Sequence, residues 1–386
     1  MEYNFDKITE RRNTGSLKWD VLDGELPMWV ADMDFETAPE VKSAIMRVAE
    51  RGIYGYSTVP DEYFFSISDF WYERHGFRFD PSWMVYSNGI VAAISSMVRK
   101  LTTPAENVLI QAPVYNIFYN SILNNGRNIV SSDLVYDGGE YRINFSDLEE
   151  KLKNPQTTLM ILCNPHNHVG KIWDKDTLSK IGELCYKNGV TVISDEIHCS
   201  LTAPGSSYVP FASASEVCAD ISVTCVAASK SFNLAGLQSA CVIAKNPHIR
   251  HKVWRGINTD EVGEPNAFSI DANIAAYRYG GAWLDRLNEY IYENKKYAVD
   301  YINKNIPGVR AALSEATYLL WTDVSEYTDN SEEFAKNLRA KTGLYVSDGK
   351  EYGRGGEGFI RINLATRRAN VVDGMARLEE YIKSLI

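Results

Sequence analysis

Thr158-Leu159-Met160-Ile161-Leu162-Cys163-Asn164-Pro165-His166-Asn167-His168-Val169-Gly170 decides how the rest of the chain is read. The first six residues run without polar alternation, the pattern of a strand buried on both faces. They stop at a polar loop opened by Asn-Pro, a turn initiator. The same pattern recurs twice: residues 190–194 run into Asp195-Glu196-Ile197-His198, and residues 221–226 run into Ala227-Ala228-Ser229-Lys230. Between the first two lies an amphipathic helix over 174–188, ended by Gly189. Apolar strands separated by helices predict an α/β fold with a mostly parallel sheet covered by helices on both faces.

Working outward, Met84–Ser87 reads as a strand and Ile90–Leu101 as a helix, joined through Gly89. A strand is expected over 107–111, a helix over 114–124 and a strand over 128–135. A helix over 147–152 is introduced by Ser146 and Glu149 in capping-box spacing. Beyond the third motif the character changes: 282–305 is one long helical stretch, Pro307 ends it, and shorter strand and helix signals follow. This predicts a large domain over 46–284 and a smaller α+β domain built from 1–45 and 285–386. No Gly-, Ser- or Pro-rich linker marks the border.

Composition narrows the class. The chain has 386 residues, 45% hydrophobic and 23% charged, with a formal net charge of −10. Nucleic acid is excluded as an expected partner, because duplex binding needs a basic face. No apolar run approaches the length of a membrane helix. Met1-Glu2-Tyr3-Asn4-Phe5-Asp6-Lys7 lacks the apolar core of a signal peptide, so a cytoplasmic protein is expected. The six cysteines are scattered without a CxxC pair, which reads as buried, reduced thiols. His166 and His168 share a loop with no further ligand in view, so no metal is expected.

In an open parallel sheet, ligands bind beyond the carboxyl ends of the strands. Here those ends carry Asn164, Asp195 and Lys230, together with the Gly89 turn. Singly, such residues read as a cap, a turn or a solvated surface group; in this order, each at a strand end, they suit one cofactor. A lysine amine forms a Schiff base with an aldehyde, and enzymes using pyridoxal 5′-phosphate (PLP) pair the pyridinium nitrogen with an acid. Lys230 and Asp195 fit those roles. Asn164 would donate to the phenolate oxygen, and Tyr115 would stack on the ring. The N–H groups of Gly89, Ile90 and Val91, opening a helix, would hold the phosphate, with Ser229 adding a hydroxyl.

Asn164-Pro165-His166-Asn167, Ser194-Asp195-Glu196-Ile197-His198 and Ser229-Lys230-Ser231-Phe232-Asn233-Leu234-Ala235-Gly236-Leu237 resemble the signature segments of fold-type I PLP enzymes. Pro27-Met28-Trp29-Val30-Ala31-Asp32-Met33-Asp34-Phe35, Tyr54-Gly55-Tyr56 and Gly355-Gly356-Glu357-Gly358-Phe359-Ile360-Arg361-Ile362-Asn363 bring the resemblance closest to the MalY/PatB group, the cystathionine β-lyases or C–S lyases. The resemblance implies that Arg361 grips the substrate α-carboxylate and that Ala31 and Asp32 line the substrate pocket. It implies that Tyr56 reaches the cofactor phosphate of a neighbouring subunit, hence a homodimer with shared active sites. His198 follows Asp195 at the position where many aminotransferases have a tyrosine near the ring oxygen, and the resemblance implies that it lies at the cofactor; a satisfied, partly buried histidine is the other reading. His168 replaces a common second proline, and Gln238 replaces a phosphate-binding arginine.

The implied activity is β-elimination from L-cystathionine or related cysteine S-conjugates to thiol, pyruvate and ammonia. An aminotransferase of an amino acid is the alternative, since both reactions share the first proton abstraction. A regulatory protein binding a transcription factor is the alternative from another class.

Overall fold

The structure is a computed structural model and describes residues 3–386; Met1 and Glu2, which open the N-terminal segment read above, lie outside the described residues. The apolar runs become a seven-stranded sheet: β1 (Met84–Ser87), β2 (Asn107–Ile110), β3 (Asn128–Ser131), β4 (Thr157–Cys163), β5 (Thr191–Asp195), β6 (Ser222–Val226) and β7 (Ala240–Ile243). The strands lie in the order β1-β7-β6-β5-β4-β2-β3. Every pairing is parallel except the two made by β7. Successive strand residues face opposite ways, so Leu159, Ile161 and Cys163 of β4 join one buried cluster and Met160 and Leu162 join another. Burial on both faces is why these strands carry no polar alternation.

The helix after β4 runs Lys175–Lys187. The Asp174 carboxylate accepts from the Thr177 N–H at 2.7 Å, and Gly189 follows at φ +69°. Its Leu178, Ile181 and Cys185 lie in the cluster with Met160 and Leu162, so the predicted apolar stripe does face the sheet. All six cysteines are buried free thiols.

Three local expectations are corrected. The strand expected over 128–135 ends at Ser131; Val135–Asp137 pairs instead with Glu140–Arg142 in a hairpin turning at Gly138 and Gly139, both at positive φ. The helix expected over 114–124 begins only at Asn116, because Tyr115 is extended at φ −46°, ψ 119°. The helix expected from 147 begins at Phe145, where Asn144 rather than Ser146 caps it by accepting from the Asp147 N–H at 3.2 Å. Asn and Ser are comparable caps, and the upstream one takes the position. β7 returns directly from the Lys230 segment and is antiparallel to both of its neighbours, so the sheet is mixed at that side.

A second sheet is antiparallel throughout: Arg310–Ala311, Leu319–Asp323, Phe359–Asn363 and Ser347–Asp348 in spatial order. The N-terminal segment joins it through Leu26–Pro27, which pairs in parallel with Leu344–Tyr345. The helix Gly281–Asn305 connects the two regions. Trp283, Leu284, Leu287 and Ile291 sit in the core beside the first sheet, and Ala298, Val299 and Ile302 sit in the core of the second. Among the described residues, no helix is long and apolar enough to cross a membrane.

Candidate active site

Parallel register brings the chemistry to one edge. Cys163 of β4 lies opposite Asp195 of β5, and Asp195 lies opposite Cys225 of β6. Asn164, Asp195 and the chain leaving β6 therefore emerge side by side, and one short turn of helix, Ala228–Ser231, carries Lys230. The Lys230 ammonium donates to the Ala31 carbonyl at 2.8 Å, and the Tyr318 hydroxyl donates to the same oxygen at 2.9 Å. Arg361, on the second sheet, donates to the Trp29 carbonyl at 2.9 Å, and its guanidinium lies 4.8 Å from the centre of the Tyr352 ring. The segment 29–32 is thus the floor between the lysine and the arginine.

Burial dominates the electrostatics. It pushes the Asp195 carboxyl up to about 7, opposed by the Ile197 N–H that Oδ1 accepts at 3.3 Å and by the Lys230 charge. It pulls Lys230 down to about 8, with Arg361 adding to the fall and Asp32 and Asp195 opposing it. A lysine near 8 holds an appreciable fraction of free amine at neutral pH, the state a base or nucleophile needs. His198 is pushed well below its ordinary value by burial, then by Lys230 and Arg361, so its ring is neutral. Burial and then the Asp195 charge raise the Tyr115 phenol. Glu196, beside Asp195 in sequence, turns away to Ser194 Oγ at 2.7 Å, Tyr208 and the Phe211 N–H at 3.1 Å.

The two asparagines of the opening motif differ. Asn164 Nδ2 already donates to Tyr208 Oη at 3.2 Å and to the Val209 carbonyl at 3.0 Å. Asn167 lies on the same loop, buried; its Oδ1, like that of Asn164, lacks a partner, and among the described residues its Nδ2 donates to none. Asn164 is the donor to the ring oxygen expected from the sequence, and its two hydrogen bonds already engage the Nδ2 it would use. Ser229 is half-buried beside Lys230, and Asp32 binds Arg11 at 2.7 Å. Gly89 sits at φ +104°, ψ 156°, and an added Cβ would meet no atom within 4 Å. The first intrahelical N–H after it is that of Ala93, leaving those of Ile90, Val91 and Ala92 ahead of the ladder. Tyr56 is not brought to the crevice: it is fully exposed, with Ile53 and Tyr54 also on the surface. Among the described residues, no group of three or more His, Cys, Asp or Glu is placed to hold a metal.

These residues fit PLP. Asn88 Oδ1, Asn164 Oδ1, Asn167 Oδ1, both ring nitrogens of His198 and Arg361 Nε are buried without partners. Buried polar atoms are normally satisfied, so such a concentration calls for a polar ligand. The amine of Lys230 suits an aldehyde, the carboxyl of Asp195 a ring nitrogen, and the helix start at Gly89 a phosphate.

Comparison with known proteins agrees. The sequence profile described as aminotransferase class I and II matches residues 26–378. Cystathionine β-lyase PatB of Bacillus subtilis is 41% identical, over 97% of this chain and 99% of its own. Cystalysin of Treponema denticola, whose crystal structure contains a PLP cofactor, superposes with a TM-score of 0.96 at 32% identity, covering 100% of both chains. The PLP-bound C–S lyase of Staphylococcus hominis gives 0.93 at 33% identity, covering 99% of this chain and 98% of that one. With a profile match along most of its length and PatB and MalY among its relatives, the chain belongs to the aminotransferase class I and II family, in its MalY/PatB group.

Proposed function

We propose that the protein is a PLP-dependent carbon–sulfur β-lyase that cleaves L-cystathionine or related cysteine S-conjugates. The balanced reaction takes the conjugate and water to a thiol, pyruvate and ammonia. The observation that carries it is the convergence of Lys230, Asp195 and Arg361 on one buried crevice, in a chain whose relatives include named cystathionine β-lyases.

Bound PLP supplies an electron sink conjugated to the substrate α-carbon. Arg361 binds the α-carboxylate with its planar fork, exchanging the Trp29 carbonyl for a charged partner. That grip fixes the α-carbon relative to Lys230. Held near 8, the Lys230 amine accepts the α-proton and returns one to product. Asp195 keeps a proton on the ring nitrogen, a pairing that also gives its costly buried charge a partner. Asn167, in place of the already committed Asn164, is the donor to the ring oxygen, and Tyr115 and neutral His198 line the same crevice. Gly89, Ile90, Val91 and Ser229 hold the phosphate.

The protein acts as a homodimer in the cytoplasm. The exposed Ile53, Tyr54 and Tyr56 lie on one segment outside helix and strand and serve as a contact to a second copy, where Tyr56 reaches the neighbour's phosphate site. The chain divides into a large unit over 46–284 and a small one over 1–45 and 285–386. These borders fall within the helices Pro39–Glu50 and Gly281–Asn305, so the units are joined by rigid elements rather than a linker.

The test is pyruvate and thiol release from L-cystathionine by the PLP-loaded enzyme without any keto acid. Stoichiometric release supports the lyase. Turnover that appears only when a keto acid is added identifies an aminotransferase instead.

A further inference from the structure

We propose that Lys18 is a positioning residue for the lyase reaction, acting with Arg11 through Asp32 and Asp34 to fix the strap whose carbonyls register Lys230 and Arg361. The inference rests on the lyase reading.

The strap, residues 29–35, has most of its main-chain carbonyls tied to side chains of the crevice. Trp29 O accepts from Arg361 at 2.9 Å and from Ser347 Oγ at 3.3 Å. Asn363 Nδ2 donates to Val30 O at 2.5 Å and to Asp32 O at 2.6 Å. Ala31 O takes Lys230 and Tyr318, as described. Asn233, three residues past Lys230, donates to Met33 O and Phe35 O, both at 3.0 Å. A strap held at this many points passes any displacement on to the lysine and the arginine.

Its acidic side chains are gripped from the opposite side by residues outside the crevice. Arg11 binds Asp32 Oδ2 at 2.7 Å, Asp34 Oδ1 at 2.8 Å and the Met33 carbonyl at 3.0 Å. Lys18 binds Asp34 Oδ1 at 3.0 Å and lies 3.7 Å from Asp32 Oδ1, and Trp19 Nε1 donates to Asp34 Oδ1 at 2.7 Å. The Lys18 side chain is 0% exposed. Burying an ammonium is costly, and apolar residues would stabilise a purely structural contact at least as well. The charge has a use here because the Asp32 carboxylate, 3.7 Å from Lys18, is also one of the charged groups whose field acts on Lys230, with Arg361 and Asp195. Lys18 therefore reaches the catalytic lysine through the strap's geometry and through the net charge around Asp32.

The experiment compares Lys18→Met, Lys18→Arg and wild type as PLP-loaded enzymes, reading kcat, KM and the pH midpoint of the bound cofactor's absorbance. In Lys18→Met, kcat falls about tenfold or more and the midpoint rises by about half a unit, because a positive charge has left the neighbourhood of Asp32. Lys18→Arg recovers most of both. If Lys18→Met does not fold, Lys18→Met/Asp34→Asn removes both buried charges together; the strap loses its anchor, so the slowed kcat is expected again, while the midpoint stays near that of wild type because the net charge is unchanged. A folded Lys18→Met with wild-type kcat and an unmoved midpoint, or a folded double variant with wild-type kcat, overturns the proposal. Failure of the lyase reading looks different: wild type itself then releases no pyruvate, while the midpoint comparison still decides the role of Lys18.

Discussion

Asp195→Asn separates what the fold tolerates from what the chemistry needs. In the cofactor-free protein the Asp195 carboxyl is buried, and burial holds it at about 7 against an ordinary 3.8. A folded-state value above the unfolded one means that the folded chain resists ionisation. Below about pH 4 the carboxyl is protonated in both states and carries no penalty; as pH rises through 4 to 7, stability is lost, and above 7 the full cost stands. A rise from 3.8 to about 7 corresponds to roughly 4 kcal/mol. Asparagine keeps the oxygen that accepts from the Ile197 N–H and carries no charge. The cofactor-free variant should therefore melt several degrees above wild type at pH 8, with the gain shrinking toward pH 5. Adding PLP should stabilise wild type more than the variant, while kcat of the variant falls by orders of magnitude. Thermal melts of both proteins, with and without PLP at the two pH values, make the comparison. A variant no more stable than wild type at pH 8, or a gain that does not depend on pH, would refute the reasoning.

Arg361→Lys keeps the charge and loses the planar fork; losing one charge-assisted hydrogen bond worth about 1.5–3 kcal/mol lowers kcat/KM about 10- to 100-fold. Steady-state kinetics read this mainly in KM if the carboxylate grip is uniform, and an unchanged kcat/KM contradicts the assignment. Asn167→Ala is expected to shift the absorbance of the bound cofactor and lower kcat. Asn164→Ala is expected to act chiefly on stability, by about 1–3 kcal/mol for the orphaned partners at Tyr208 and Val209; spectra and melts of the two variants distinguish them. Gly89→Ala places a Cβ in open space but at φ +104°. Strain of about 1–3 kcal/mol at the helix start should then appear as weaker PLP affinity, measured by equilibrium dialysis.

Much of the first sheet was legible, because strands buried on both faces read as unbroken apolar runs. The residues that close those runs, Asn164, Asp195 and the turn before Lys230, fall at one edge once the register is parallel. What remained hidden depends on distant contacts. Nothing in one sequence tells Asn164 from Asn167; the difference is the Tyr208 and Val209 oxygens some 45 residues away. The strap was legible as a motif, but its hold on Lys230 spans 199 residues of sequence. Buried Lys18 reads in sequence as an ordinary surface lysine, and only its two carboxylate partners explain its position. Local errors arose where caps or turns compete, as at Asn144 against Ser146 and at the Gly138-Gly139 hairpin.

The central claim is that Lys230 is the residue that bonds the cofactor. Borohydride reduction of the PLP-loaded protein, followed by peptide mapping by mass spectrometry, tests it most directly. The account predicts a reduced PLP adduct on the peptide containing Lys230 and none in Lys230→Ala. An adduct on another lysine, or none at all in protein that releases pyruvate from L-cystathionine, would contradict it.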